Sequence, residues 1–185
     1  MTDFARYFLA VIPPTVVIEQ VREVKNHFRD QYNCKAPLRS PAHITLHMPF
    51  SRKEGKEPEL LAKLHEFATG QEHFELSLNG FGAFAPRTIY ISVDKNPELL
   101  TFQKSLTQCA KKELNVFSSD YKDRAYHAHM TVAFRDLKKA LFPQAWSEFK
   151  NRSFKETFTV SSFFLLKHDG KEWKLHAEVP FQKRP

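Results

Sequence analysis

Cysteine is nearly absent from this chain: its 185 residues include only Cys34 and Cys109. They make neither a CxxC pair nor a disulfide framework, so a reducing compartment is the expectation. Glycine is scarce at five residues, which excludes a collagen-like repeat. No stretch reaches 18 apolar residues, so no membrane-spanning helix is expected. The opening MTDFARYFLAVIPP has a short apolar run and an acid at Asp3. It lacks the basic start and small-residue cleavage site of a secretory signal. A cytoplasmic protein with no membrane partner is therefore expected. There is no GxxxxGK[ST], no GxGxxG and no cysteine cluster. Those absences argue against P-loop nucleotide hydrolysis, Rossmann dinucleotide use and zinc-ribbon RNA binding.

What remains is a globular composition, 42% apolar and 26% charged. The length suits one domain or two small lobes sharing a core. Lys and Arg number 28 against 21 acids, giving a net charge of +7. That balance leans toward nucleic acid or phosphorylated small molecules, although no Lys/Arg run marks a basic arm and solubility alone can account for the excess.

Residues 7–12 read as a buried strand closed by Pro13 and Pro14. A helix follows over about 15–30, with Val17, Val21, Val24 and Phe28 inward and Glu19, Arg22, Glu23 and Lys25 on the polar face. Residues 43–48 alternate as a half-buried strand that Pro49 ends. A short helix carries Leu60, Leu61, Leu64, Phe67 and Ala68, and 74–78 is a strand, after which Gly80, Gly82 and Pro86 bend or break the chain. Residues 88–93 form a strand, Asn96-Pro97-Glu98 opens a helix, 129–134 is a strand and about 137–149 a helix. Two strands near 154–166 and 172–179 close the chain around His168-Asp169-Gly170. The 18 phenylalanines fall mostly on these periodic faces, as a large aromatic core would place them.

The order strand, helix, strand, helix, strand occurs twice. It predicts an α+β fold of two lobes related by a pseudo-two-fold, each a mainly antiparallel sheet backed by helices, with a cleft between the sheets. The whole of 1–185 is then one two-lobed domain, with pattern-repeat halves at about 1–86 and 87–185 and room for strands to cross between lobes. Each half would be marginal alone.

The second strand of each unit carries the same tetrapeptide pattern, His43-Ile44-Thr45-Leu46 and His129-Met130-Thr131-Val132. Residues i and i+2 share one face of a strand. His43 and Thr45 therefore point together, as do His129 and Thr131, with the intervening residues in the core. If the lobes face each other, two imidazoles and two hydroxyls converge. Near neutral pH one imidazole can accept a proton while the other donates one. The hydroxyls can donate to phosphoryl oxygens. That set suits metal-free opening of a 2',3'-cyclic phosphate, whose ring strain lowers the demand on the enzyme.

At these residues the chain resembles the two-histidine phosphoesterases, in particular the 2'-5' RNA ligase-like branch. Phe8-Leu9-Ala10-Val11-Ile12-Pro13 resembles the family's opening strand, and Phe84-Ala85-Pro86-Arg87-Thr88-Ile89-Tyr90 its central passage. The resemblance spans essentially the whole chain. It implies a bilobal α+β fold, no metal or other cofactor, and cyclic phosphodiesterase activity on RNA ends or nucleotides that gives a 2'-phosphate, with 2'-5' RNA ligase activity in some members. His43, His129, Thr45 and Thr131 would be the catalytic set. The family often has proline before its second histidine, where this chain has Ala128; the change alters backbone stiffness, not chemistry.

Further site candidates are less specific. His47 and His127 lie two residues from their motifs and would share the cleft face if the strands stay regular, binding phosphate or base, or else ending the strands as polar residues. His127 and His129 together with His43 could hold zinc, yet no acid lies in either motif strand. Arg87 sits at the lobe junction; Lys35 and Arg39 precede the first motif strand, and Lys122 and Arg124 the second. Tyr126, Phe50 and Tyr90 could stack on a base. The expected partners are RNA ends or small cyclic-phosphate nucleotides, with the protein a monomer. The alternative is a non-catalytic RNA or nucleotide binder using the same cleft, which the histidine pair disfavours, since phosphate binding alone would select Arg and Lys.

Overall fold

The computed structural model describes residues 3–116 and 125–182. Strand β1 (Phe4–Val11) ends at Pro13 and Pro14, and α1 (Thr15–Tyr32) follows. Then come β2 (Ile44–Lys53), α2 (Glu57–Ala68), β3 (Phe74–Phe84) and β4 (Thr88–Val93). The remaining elements are α3 (Pro97–Leu114), β5 (His129–Ala133), α4 (Phe142–Phe149), β6 (Lys155–Val160), β7 (Ser162–His168) and β8 (Trp173–Pro180).

Two antiparallel four-stranded sheets result, ordered β2-β1-β7-β8 and β5-β4-β3-β6. The duplication seen in the pattern is also present in the backbone. Helices α1 and α3 each have 18 residues, and each ends on an asparagine in the left-handed region at φ 53°, Asn33 and Asn115. In both, the next residue's N–H returns to a carbonyl six residues back, Cys34 to Phe28 and Val116 to Ala110, which ties off the last turn.

The halves are not self-contained. Strand β3, grouped by the sequence with the first unit, pairs with β4 and β6 in the second sheet. The tight connection between Phe84 and Thr88 makes a hairpin with β4, and local antiparallel pairing prevails. The segment expected as one strand over 154–166 breaks at Ser161; β6 stays in the second sheet and β7 joins β1 in the first. The first half thus lends β3 to the second sheet, and the second half lends β7 and β8 to the first.

Four local readings also change. Strand β3 runs through Gly80 and Gly82 instead of stopping there, with a bulge between Leu78 and Phe81. Strand β2 continues past Pro49 to Lys53; it is an edge strand, so the missing N–H costs no ladder bond. Lys25 is buried, not on the polar face, because it lies four residues after Val21 and three before Phe28 on the inward stripe. Helix α4 starts at Phe142, later than the sequence pattern indicates.

One continuous core joins the sheets and helices. Phe28 of α1 stacks on Phe149 of α4 at 4.5 Å, and Phe81 of β3 meets Phe149 edge-on at 5.1 Å. A second group joins Phe67, Phe74, Phe102, Phe163 and Phe181. These rings come from both halves, so burial binds each half to the other. Among the described residues, no helix is long and apolar enough to cross a membrane.

Candidate active site

Each motif strand is the edge of its own sheet, and the two edges, β2 and β5, lie side by side. Tyr126 bridges the seam by donating its hydroxyl to the Thr45 carbonyl at 2.8 Å. A further clamp lies behind it. Asp136, just beyond β5, accepts the backbone N–H groups of Lys35 and Ala36 at 2.8 and 2.9 Å and the Cys34 thiol at 3.0 Å. The loop feeding β2 is thereby fixed to the chain leaving β5. Nothing in the sequence pattern singled out Asp136.

Both motifs have the same register. Ile44 pairs with Val11 and Thr45 with Ala10, then the pairing slips so that His47 faces Leu9. Met130 pairs with Ile91 and Thr131 with Tyr90, then it slips so that Ala133 faces Ile89. A bulge therefore falls on the hydrophobic residue after each threonine, Leu46 and Val132. Ile44, Leu46, Met130 and Val132 are fully buried, while the motif histidines and threonines are half-buried on the other face. The carbonyl of Leu46 is met by the Gln103 amide of α3 at 3.1 Å.

The bulge overturns one expectation. His47 does not share the face of Thr45; the slip turns it toward the Leu9 side, where it is fully buried with its ring 5.5 Å from Phe50. Its Nδ1 is bonded to the Met48 carbonyl, and its Nε2 has no partner among the described residues. Phe50 packs on Tyr7 on that same far face and is no stacking platform for the site.

The two motif histidines are held alike. His43 Nδ1 lies 2.8 Å from the Pro41 carbonyl, and His129 Nδ1 lies 2.7 Å from the His127 carbonyl. A carbonyl only accepts, so each Nδ1 carries the hydrogen and each Nε2 is left to accept or deliver a proton. Aromatic rings fix the planes. His43 sits 4.9 Å from Phe8, which in turn meets Trp173 edge-on at 4.7 Å. His129 meets Phe84 edge-on at 5.2 Å and Tyr90 at 5.3 Å. Gly82 opposes Tyr90, and a Cβ there would collide with the Tyr90 ring, so the glycine makes room for this wall. The Thr45 and Thr131 hydroxyls have no partner among the described residues.

Burial pushes the His43 imidazole down to about 4; the Pro41 carbonyl opposes this, while the charges of Lys25 and His129 add to it. Burial also lowers His129, opposed by the His127 carbonyl and reinforced by the charge on His127. A charge on His129 would thus disfavour protonating His43, and one on His127 would disfavour protonating His129. Without ligand both rings are neutral at pH 7. An anion placed between them favours the protonated form, so binding should take up a proton. Sulfate does not titrate in this range. Its affinity should rise as pH falls from about 7 toward 5, by up to ~10-fold per unit for one proton. Titration calorimetry across that range tests this, and a flat affinity would show that the rings do not face the anion.

The other candidates divide. His127 is exposed beside His129, with Phe84 edge-on at 5.3 Å and Tyr90 at 5.5 Å. Arg87 is exposed in the turn of the β3–β4 hairpin, between Phe84 and Tyr90. Lys35 and Arg39 are exposed on the loop before β2. Lys122 and Arg124 lie outside the described residues. The pattern gave no sign of Phe8, Trp173 and Phe84 as walls, since a phenylalanine on a strand face reads as core. Phe84, 42% exposed, is not core. Among the described residues, no three His, Cys, Asp or Glu side chains are grouped to hold a metal ion.

Residues 13–172 match the family model of the 2'-5' RNA ligase superfamily. A putative phosphoesterase of Bacillus anthracis is 25% identical over 161 residues, which is 85% of this chain and 88% of that one. The crystal structure of TT0787 of Thermus thermophilus shares the fold, with a TM-score of 0.68 and 20% identity over 97% of this chain and all of that one. So does Escherichia coli LigT complexed with 3'-AMP, with a TM-score of 0.66 and 20% identity over 96% and 98%.

Proposed function

The chain belongs to the 2'-5' RNA ligase superfamily, and from that premise we propose that it hydrolyses 2',3'-cyclic phosphates at RNA ends or on nucleotides, with His43 and His129 as its acid–base pair. The matched tethering of the two rings carries this reading: each Nδ1 is bonded to the carbonyl two residues before it, which leaves each Nε2 to exchange a proton. One neutral imidazole removes a proton from water as its oxygen bonds to phosphorus. The P–O3' bond breaks, and the other imidazole, protonated on substrate binding, gives its proton to O3'. The product is a 2'-phosphate, and proton exchange with solvent resets the pair. Thr45 and Thr131 donate to the non-bridging oxygens, where negative charge is concentrated. A complex of the related fold with 3'-AMP supports a nucleotide as the ligand class. Phe84 and Trp173 supply aromatic surface on either side for a base. Ligation of 2'-5' ends would be the same displacement with a 5'-hydroxyl replacing water: its oxygen bonds to phosphorus and the P–O3' bond breaks.

The test is a panel of nucleoside and RNA 2',3'-cyclic phosphates, assayed after dialysis against a strong chelator with the product phosphate position determined. Undiminished hydrolysis to the 2'-phosphate is expected. Loss of turnover that zinc or manganese restores would show that the imidazoles ligate a metal instead. Binding without turnover of any member would favour the non-catalytic RNA or nucleotide binder.

A further inference from the structure

Beside His43 lies a pocket of about 280 Å³, bounded by α1, residues 38–42 and the start of β8. Arg22, Lys25, Ser40, Glu172, Trp173 and Lys174 contribute its polar and aromatic lining. Two contacts join it to the reacting histidine. Pro41, also in its wall, holds His43 Nδ1 through its carbonyl, and the Trp173 indole abuts Phe8, whose other neighbour is the His43 ring.

The charges in this pocket do not cancel. Lys174 is ion-paired with Glu172. Lys25 is only 4% exposed, and its ammonium makes one described hydrogen bond, to the Ser40 carbonyl at 3.0 Å. An ammonium has three donors, and no carboxylate among the described residues pairs with this one. Arg22, exposed at the rim, adds a second positive charge. Burying an unpaired charge is costly, and such a group is stabilised by an anion that takes up the vacant donors. Burial and the neighbouring Arg22 pull Lys25 down to about 8, the direction expected for a cation with no counter-charge.

We propose that this pocket is an accessory phosphate subsite, filled by the 5'-phosphate of the nucleotide whose 2',3'-cyclic phosphate is opened. The inference rests on the cyclic-phosphate reading above and narrows its substrate class. RNA ends, in which that phosphate is the linkage to the preceding nucleotide, and 5'-phosphorylated nucleotides are preferred over nucleoside cyclic phosphates. Lys25 and Arg22 hold the second phosphate, while His43, His129 and the threonines engage the reacting one.

Equilibrium binding separates this proposal from the question of turnover. Adenosine 2',5'-bisphosphate should bind at least about tenfold more tightly than adenosine 2'-monophosphate, the worth of one charge-assisted contact. Arg22→Gln, at an exposed position, should bring that ratio to within about threefold of unity. So should Lys25→Met, once circular dichroism shows it folded. Equal affinity for the two nucleotides in the unaltered protein, or a preference that survives Arg22→Gln, would overturn the subsite. If inorganic phosphate binds and is lost in Arg22→Gln while the nucleotide ratio is near one, free phosphate and not substrate is the occupant, which also overturns it. A bisphosphate preference lost in Arg22→Gln, without turnover of any cyclic phosphate, would uphold the subsite and refute only the hydrolytic reading.

Discussion

Alanine at His43 or at His129 is expected to lower turnover of a 2',3'-cyclic phosphate by roughly 10²- to 10⁴-fold, the usual worth of a placed proton-transfer group. The double variant should lose little more than the worse single one, because the two rings act as a unit. Removing the hydroxyl of Thr45 or Thr131 should cost less, since water can stand in as donor, and serine should cost least of all. The roles can then be separated by leaving group. A nitrophenyl phosphodiester expels its phenolate without needing a proton, so it should rescue the variant lacking the acid and leave the variant lacking the base inactive. Near-full turnover by both alanine variants, each shown to be folded, would sink the acid–base assignment.

Phe149→Ala should be the most damaging substitution away from the site. Phe149 is fully buried, stacked on Phe28 and edge-on to Phe81, so its loss opens a cavity at the point where three elements from both halves meet. A cost of about 3–5 kcal/mol is expected. That is a large part of the ~5–15 kcal/mol that holds a domain of this kind. Urea unfolding should show a much lower midpoint with an unchanged slope. A shift worth less than about 1 kcal/mol would mean that the ring's surroundings collapse to fill the space, and that the two halves are held together elsewhere.

The elements and the motif strands were legible because their signals are local. The alternation through His43–Met48 and His129–Phe134 places histidine and threonine on one face, and the structure keeps them there. The Asn96 cap is equally local, its side chain accepting the Leu99 N–H at 2.7 Å. What escaped depends on partners distant in sequence. The slip that turns His47 inward exists only in the register between β2 and β1. The exchange of β3 and β7 depends on which edges are free once the hairpins form. Phe84 reads as core by composition, and only the edge of the second lobe shows it to be a wall of the site. Lys25 is a different case: its spacing from Val21 and Phe28 already put it on the inward stripe, and only its charge argued otherwise.

The strand exchange also sets an order of assembly on the ribosome. The second sheet is drawn from a single stretch, residues 74–160, and can close as that stretch emerges. The first sheet cannot. Until residues 162–180 are made, β1 has a partner on one side only, and its other edge stays open in the nascent chain. His43 would then sit on a two-stranded ribbon, with Trp173 not yet present to back Phe8. A message cut short anywhere before the β7–β8 hairpin therefore yields a product with a bare, largely apolar strand edge, a template for aggregation. The paired histidines are completed only when the β7–β8 hairpin is translated.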